Sequence, residues 1–176
     1  MLFAHQITKK IKTKVLLCLT VIFLSLPSLA TAITTNNNPI AKNEITIEQV
    51  LKFSNIERSE EGLKNLKISS KLNSIAINKL NDMIVNNYFE HTSPEGKSLK
   101  NFLKEANYKY IFAGENLAIN YYNNQEVVDA WMDSPTHRTN MLNAYFTEIG
   151  SASGYAVIDE KIQYITVLIF GRPMST

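Results

Sequence analysis

Any fold for this chain has to accommodate residues 129–142, where its one tryptophan, Trp131, stands beside Asp133-Ser134-Pro135 and His137-Arg138. Val127, Val128, Trp131 and Met132 recur at helical spacing, so a helix here turns its aromatic anchor inward. Proline disfavours helical backbone in the residue before it, which stops that helix in a turn at Ser134. The polar residues Thr136, His137 and Arg138 are then carried on the flank of a rigid core. Two upstream stretches offer them partners: Phe89-Glu90-His91-Thr92-Ser93-Pro94 and Ala113-Gly114-Glu115-Asn116-Leu117.

The N-terminus has a different character. Lys9, Lys10, Lys12 and Lys14 precede an apolar run over 15–26, then Pro27 and the small residues Ala30-Thr31-Ala32. This is the layout of a secretory signal peptide, read here as residues 1–32. The apolar run is too short for an anchor helix, which needs about 20 residues. Removing residues 1–32 lowers the basic count from 18 to 14, leaves 16 acidic residues, and moves the net charge from +2 to −2. The basic balance therefore belongs to the signal, and it speaks against a nucleic-acid partner, which needs a basic stripe on the folded domain. Cys18, the single cysteine, leaves with the signal, so no disulfide or thiol nucleophile remains. The expected location is secreted, extracellular or periplasmic, with membrane contact only through the signal before cleavage. Residues 33–45, polar and turn-rich around Asn36-Asn37-Asn38-Pro39, read as a flexible linker.

Beyond the linker the pattern is helices first and strands last. Thr46-Ile47-Glu48-Gln49 reads as a capping box for a helix over 47–60, with Ile47, Val50, Leu51 and Ile56 inward, Glu57 and Arg58 on a solvated face, and Gly62 as its stop. Ser69 or Ser70 caps a second helix whose core stripe is Leu72, Ile75, Ala76, Lys79, Leu80, Met83 and Ile84. A third helix covers 98–106. An extended segment over 108–113 leads to Gly114, where glycine suits a tight backbone. Asn123 or Asn124 caps the Trp131 helix, and the preceding loop exposes Tyr121 and Tyr122. Strands over 148–157 and 161–171 form a hairpin through Asp159-Glu160. Segregated elements of this kind imply an α+β domain in layers.

Four motifs, in order, are Phe89-x-His91-x-Ser93-Pro94, Gly114-Glu115-Asn116, Trp131-Met132-x-Ser134-Pro135-x-His137-Arg138 and Thr147-Glu148-Ile149-Gly150. Together they resemble the CAP superfamily (cysteine-rich secretory proteins, antigen 5, pathogenesis-related 1) in its bacterial secreted, SCP-like form, over a domain set at 46–173. The resemblance implies an α-β-α sandwich with a mainly antiparallel central sheet flanked by helices. It also implies a cleft lined by two histidines and two acids. His91 and His137 match the histidines and Glu115 the first acid, with Ser93, Asn116, Asp133, Ser134 and Arg138 supporting the cleft. The second acid of eukaryotic relatives falls at Ser134. Asp133 lies one position earlier, a rotation of about 100° on a helix.

His91 and His137 are the only histidines after residue 32. A carboxylate beside an imidazole fixes its tautomer and favours its protonated form, whereas two neutral imidazoles with a carboxylate suit a divalent metal such as zinc. Both uses fit His91, Glu115 and His137, as does a polar network that only holds loops on the sheet. Ser93 and Ser134 lie near the histidines in sequence, but no Gly-x-Ser-x-Gly turn accompanies them. The reading is therefore an extracellular binding or interaction module for an extracellular or envelope ligand, with no required cofactor and a cleft that zinc would suit. The alternatives are a metal-assisted hydrolase acting on envelope or peptide substrates and, by resemblance alone, lipid or sterol binding.

Overall fold

The computed structural model describes residues 44–175. The expected signal peptide and residues 33–43 of the expected linker lie outside the described residues. The elements are α1 (Ile47–Glu60), β1 (Lys67–Ile68), α2 (Ser70–Asn86), α3 (Leu99–Glu105), β2 (Tyr110–Ile119), α4 (Asn124–Asp133), α5 (Pro135–Met141), β3 (Glu148–Ile158) and β4 (Lys161–Pro173). One sheet runs in the order β1-β3-β4-β2. The β3–β4 and β4–β2 pairs are antiparallel, and the two-residue β1 adds a parallel edge to β3.

Side chains alternate across a strand, and β4 uses both sides. Ile165, Val167 and Ile169 join a core with Leu72, Ile75, Met83, Phe102 and Leu103 from α2 and α3. Tyr164, Leu168 and Phe170 join a second core with Val50, Val127, Val128, Trp131 and Met141 from α1, α4 and α5. The apolar run of β4 is thus continuous because both faces are covered. Helices on both sides of the sheet give the α-β-α sandwich, with a sheet that is mixed rather than wholly antiparallel. Among the described residues no helix is long and apolar enough to cross a membrane.

Two local features fix the register of these layers. Asp159 and Glu160 have φ of 49° and 63°, the left-handed pair that a two-residue hairpin turn demands. At Gly150 a Cβ would lie 2.1 Å from the carbonyl carbon of Leu72, so α2 rests directly on β3 and only glycine fits between them.

The start of the domain corrects two expectations. Thr46 Oγ1 accepts from the Gln49 N–H at 3.4 Å, but the Thr46 N–H donates to Asn124 Oδ1 at 2.8 Å instead of to Gln49. Half of the capping box is therefore supplied by the start of α4. Ile45 is buried in the second core, so the domain begins before the expected boundary at residue 46.

Arg58, expected on a solvated face, is fully buried. Its guanidinium donates to the carbonyls of Lys64 at 3.0 Å, Met141 at 2.8 Å and Asn143 at 2.9 Å. Carbonyls at a helix end lack intrahelical partners, and the planar donor fork of arginine meets several at once. The buried stripe of α1 consequently runs Val50, Ser54, Arg58, while Ile56 faces outward.

Trp131 is buried at the centre of the second core, and its Nε1 donates to the Leu117 carbonyl at 3.1 Å. Trp131→Ala is expected to lower stability by about 3–5 kcal/mol in a urea melt. A loss below about 1 kcal/mol would mean that the indole does not anchor α4 to the sheet.

Candidate functional site

The site is built around β2, an edge strand. Gly114, Glu115 and Asn116, expected to form a tight segment after a strand, lie inside β2 opposite Phe170, Ile169 and Leu168 of β4. Gly114 is required by proximity: a Cβ there would lie 2.8 Å from Phe146 Cζ and 3.0 Å from Asn140 Oδ1. Alternation sends Glu115 to the α2 side of the strand and Asn116 to the α5 side. The two histidines approach the edge from those two sides.

His91 follows α2, which ends on Asn87 in the left-handed conformation, φ 52°. The loop carrying it is pinned by Lys79, a buried residue of the α2 stripe. Lys79 Nζ donates to Tyr88 Oη at 3.1 Å, the Glu90 carbonyl at 2.9 Å and the His91 carbonyl at 3.0 Å. Tyr88 Oη in turn donates to Asp82 Oδ2 at 2.6 Å. Read as a core residue, Lys79 went unassigned at the site. A charge within an apolar helix stripe is nonetheless a signal, because a buried ammonium persists only with partners.

His137 lies on α5. Proline was expected only to stop the Trp131 helix; Ser134 does end α4, but Pro135 is also the first residue of α5, where its missing N–H costs nothing. Two asparagines fasten α5 to β2. Asn116 Nδ2 donates to the His137 carbonyl at 3.1 Å, and Asn140 Nδ2 donates to the Glu115 carbonyl at 3.1 Å and to Asn116 Oδ1 at 2.8 Å. Asn140, three residues after His137 and so on the same helix face, was not singled out in the sequence.

His91 Nδ1 and Glu115 Oε1 are 2.6 Å apart, pairing an exposed imidazole with a carboxylate whose side chain is 4% exposed. Against an ionised carboxylate oxygen Nδ1 carries the proton, which leaves Nε2 toward solvent. Glu115 Oε2 is buried without a hydrogen-bond partner. Burial pushes the Glu115 carboxyl above its ordinary range, opposed by the His91 hydrogen bond and the positive charge of Lys79. His137 is held below the ordinary imidazole value by burial and by the neighbouring charge of His91. The structure thus pairs His91 with Glu115, while His137 feels the charge of His91 and has no hydrogen bond to either side chain among the described residues.

Four of the five residues expected to support the cleft do other work. Ser93 Oγ donates to Glu95 Oε2 at 3.1 Å and accepts from the Lys97 N–H at 3.1 Å, closing its own loop. Asp133 is exposed and, together with Ser134, lines a separate depression with Tyr121, Glu126 and Asp129. Ser134 Oγ lies 3.4 Å from Thr136 Oγ1. Arg138 Nη2 pairs with Glu61 Oε1 at 3.1 Å on the surface. Only Asn116 contacts the site.

The donor chemistry does not fit a zinc ion held by three protein groups. Glu115 Oε1 is engaged by His91, and among the described residues no three His, Cys, Asp or Glu side chains converge into a set able to hold a metal. Two imidazoles alone fall short of the usual three or four ligands.

A layered α-β-α domain whose edge strand holds a buried glutamate against a histidine defines the class. The chain belongs to the cysteine-rich secretory protein (CAP) family, whose model matches residues 51–170. It is 41% identical over 123 residues to the uncharacterized protein YkwD of Bacillus subtilis (strain 168), covering 69% of this chain and 48% of that one. It is 36% identical over 103 residues to the uncharacterized membrane protein YlbC of the same organism, covering 58% and 30%. The chain thus spans about half or less of these relatives. Among solved structures, an extracellular protein containing an SCP domain from Bacillus anthracis str. Ames superposes with a TM-score of 0.59 at 32% identity, over 71% of this chain and 39% of that one. An outer surface protein from Borrelia burgdorferi shares the fold, with a TM-score of 0.60 at 24% identity over 74% and 98% of the two chains.

Two expectations follow from the geometry. In calorimetric titration of metal-stripped protein, zinc uptake should be the same for wild type and for the His91→Ala/His137→Ala variant; uptake lost in the variant would restore the metal site. The lowered His137 value means that the unfolded chain takes up a proton near pH 6.5 that the fold resists, so stability is lost as pH falls from about 6.5 through the folded value. Glu115 acts oppositely, since protonation in the carboxylate range relieves a buried charge. Urea midpoints taken from about pH 7.5 to 5.5 should therefore fall more for wild type than for His137→Gln. Equal falls would remove His137 as the cause.

Proposed function

We propose that the protein acts outside the cytoplasm as a binding module, and that His91, Glu115 and His137 form a proton-sensitive contact for a ligand presenting an N–H donor. The observation that carries this reading is the pairing of the exposed His91 imidazole with the buried Glu115 carboxylate, His91 Nδ1 to Glu115 Oε1 at 2.6 Å. With its Nδ1 proton held by the carboxylate, the ring presents Nε2 as an acceptor for the N–H donor of a ligand. Lys79 and Asn140 hold the two flanks in place before any ligand arrives. Hydrolysis by an activated hydroxyl finds no support, because Ser93 and Ser134 bond to Glu95 and Thr136 rather than to an imidazole.

Action outside the cytoplasm is supported by the lysine-rich start, the apolar run and Ala30-Thr31-Ala32. It is supported also by the Bacillus anthracis relative, which is described as extracellular. The expected ligand is then an extracellular or envelope molecule. Intact-mass measurement of the exported protein should give a chain beginning at Ile33; a chain that retains Cys18 would overturn signal cleavage.

The ligand contact is tested with trialanine, whose free ammonium and amide groups are N–H donors. At neutral pH it should perturb the nuclear magnetic resonance signals of Glu115, His91 and His137. Glu115→Gln, which places an amide nitrogen or a neutral oxygen where the carboxylate was, should weaken that response at least about tenfold, the factor that about 1.4 kcal/mol represents. Equal responses in wild type and Glu115→Gln, or perturbation confined to other residues, would overturn the reading.

A further inference from the structure

Far from the histidines, two adjoining cavities of about 280 Å³ and 350 Å³ open beside the end of α3, the start of β2 and the end of β4. Both are lined by Asn107, Tyr108, Lys109 and Met174, so they form one continuous groove with two limbs. Lys100 and Lys104 border one limb and Lys71 the other, with Lys109 between them. Tyr110, on the lining, precedes Glu115 by five strand residues, a separation of about 17 Å. This is a different surface from the His91 cleft.

The charge of this groove is uncompensated. Lys71, Lys100, Lys104 and Lys109 are all exposed, and none forms an ion pair among the described residues. Glu105, next to Lys104 in sequence, is turned to Lys97 at 3.0 Å. Glu148 is the one carboxylate on the lining, and it already accepts from Tyr108 Oη at 3.1 Å. These are four of the eleven lysines that follow residue 32, in a stretch of chain carrying two more acidic than basic residues. Like charges gathered in a concave surface raise the local potential for anions. Overall composition does not account for it.

We propose that this groove binds a phosphodiester-linked polyol, an anionic chain with phosphates separated by short neutral spacers. Lysine ammoniums act as point charges for phosphate, and their placement on both limbs suits repeated charges better than one isolated anion. Tyr108 is buried and Tyr110, stacked on it, is only half-exposed, so the groove offers no fully exposed aromatic platform of the kind on which nucleic-acid bases stack. Met174 is the one exposed large apolar residue on the lining, too little to enter a bilayer. Its N–H donates to the Lys109 carbonyl at 3.0 Å, which fixes the lip of the groove.

The test is titration of the exported protein with a glycerol phosphate oligomer at rising salt. Binding should weaken linearly on a log–log plot, with each lysine contact contributing about 0.7–0.9 to the slope. Lys100→Gln/Lys104→Gln/Lys109→Gln should bind at least about tenfold more weakly, with a slope smaller by about 2. Lys52→Gln/Lys64→Gln/Lys161→Gln, which removes the same charge elsewhere, should bind as wild type does. Should the first triple variant unfold, Lys100→Gln and Lys109→Gln singly should each weaken binding and lower the slope by about 1. Equal weakening by both triple variants, or no weakening by either, would overturn the proposal. So would tighter binding of oligothymidylate, or binding to phosphatidylglycerol vesicles without binding of the free oligomer.

Discussion

The double burial of β4 is the constraint on which the other elements depend. A strand that is apolar on one face needs one covering layer, but a strand carrying Ile165, Val167 and Ile169 on one side and Leu168 and Phe170 on the other needs two. Both sets of helices are recruited by that single requirement. The price of close packing is paid at Gly150, where α2 meets the sheet with no room for a side chain. β2, on the outer side of β4, is left as an edge that has one neighbouring strand.

That edge is where polar chemistry can be tolerated. A glutamate on an interior strand would have apolar layers on every side, whereas Glu115 at the edge is reached by His91 from the α2 side. Neither histidine depends on its own sequence neighbours for position. Two hydrogen bonds from Lys79 set the main chain around His91, and Asn116 and Asn140 set the main chain around His137. Backbone pinned in this way leaves the imidazoles free to respond to protons or to a ligand without moving the loops that hold them.

Glu115 is buried and bonded through one oxygen to His91, while Lys79 supplies a nearby positive charge that keeps the burial tolerable. The lysine groove at the start of β2 has the complementary character, an excess of exposed charge without local partners. On the two proposals the surfaces would respond to different variables, protonation at the first and ionic strength at the second.

Much of this was legible in the residues alone. Helical periodicity located α2 and α4 with Trp131 inward, the turn residues located the β3–β4 hairpin, and the four ordered motifs named His91, Glu115 and His137. These are local or pattern-borne signals, and short-range physics writes them directly into the chain. Tertiary contact alone decided the rest. Arg58 and Lys79 are buried because carbonyls from distant segments, or from a loop folded back, converge on their head groups, and no periodicity records such partners. Asp133, Ser134 and Arg138 carry motif positions but point elsewhere: Asp133 and Ser134 line a depression at the end of α4, and Arg138, on the new helix that Pro135 begins, turns to Glu61. Gly114 looked like a turn and is a strand residue, since what it accommodates is Phe146, thirty-two positions further along the chain. Sequence could therefore name the residues of the site, but which of them meet, and which oxygen is left without a partner, depended on contacts across the layers that only the folded chain brings within reach.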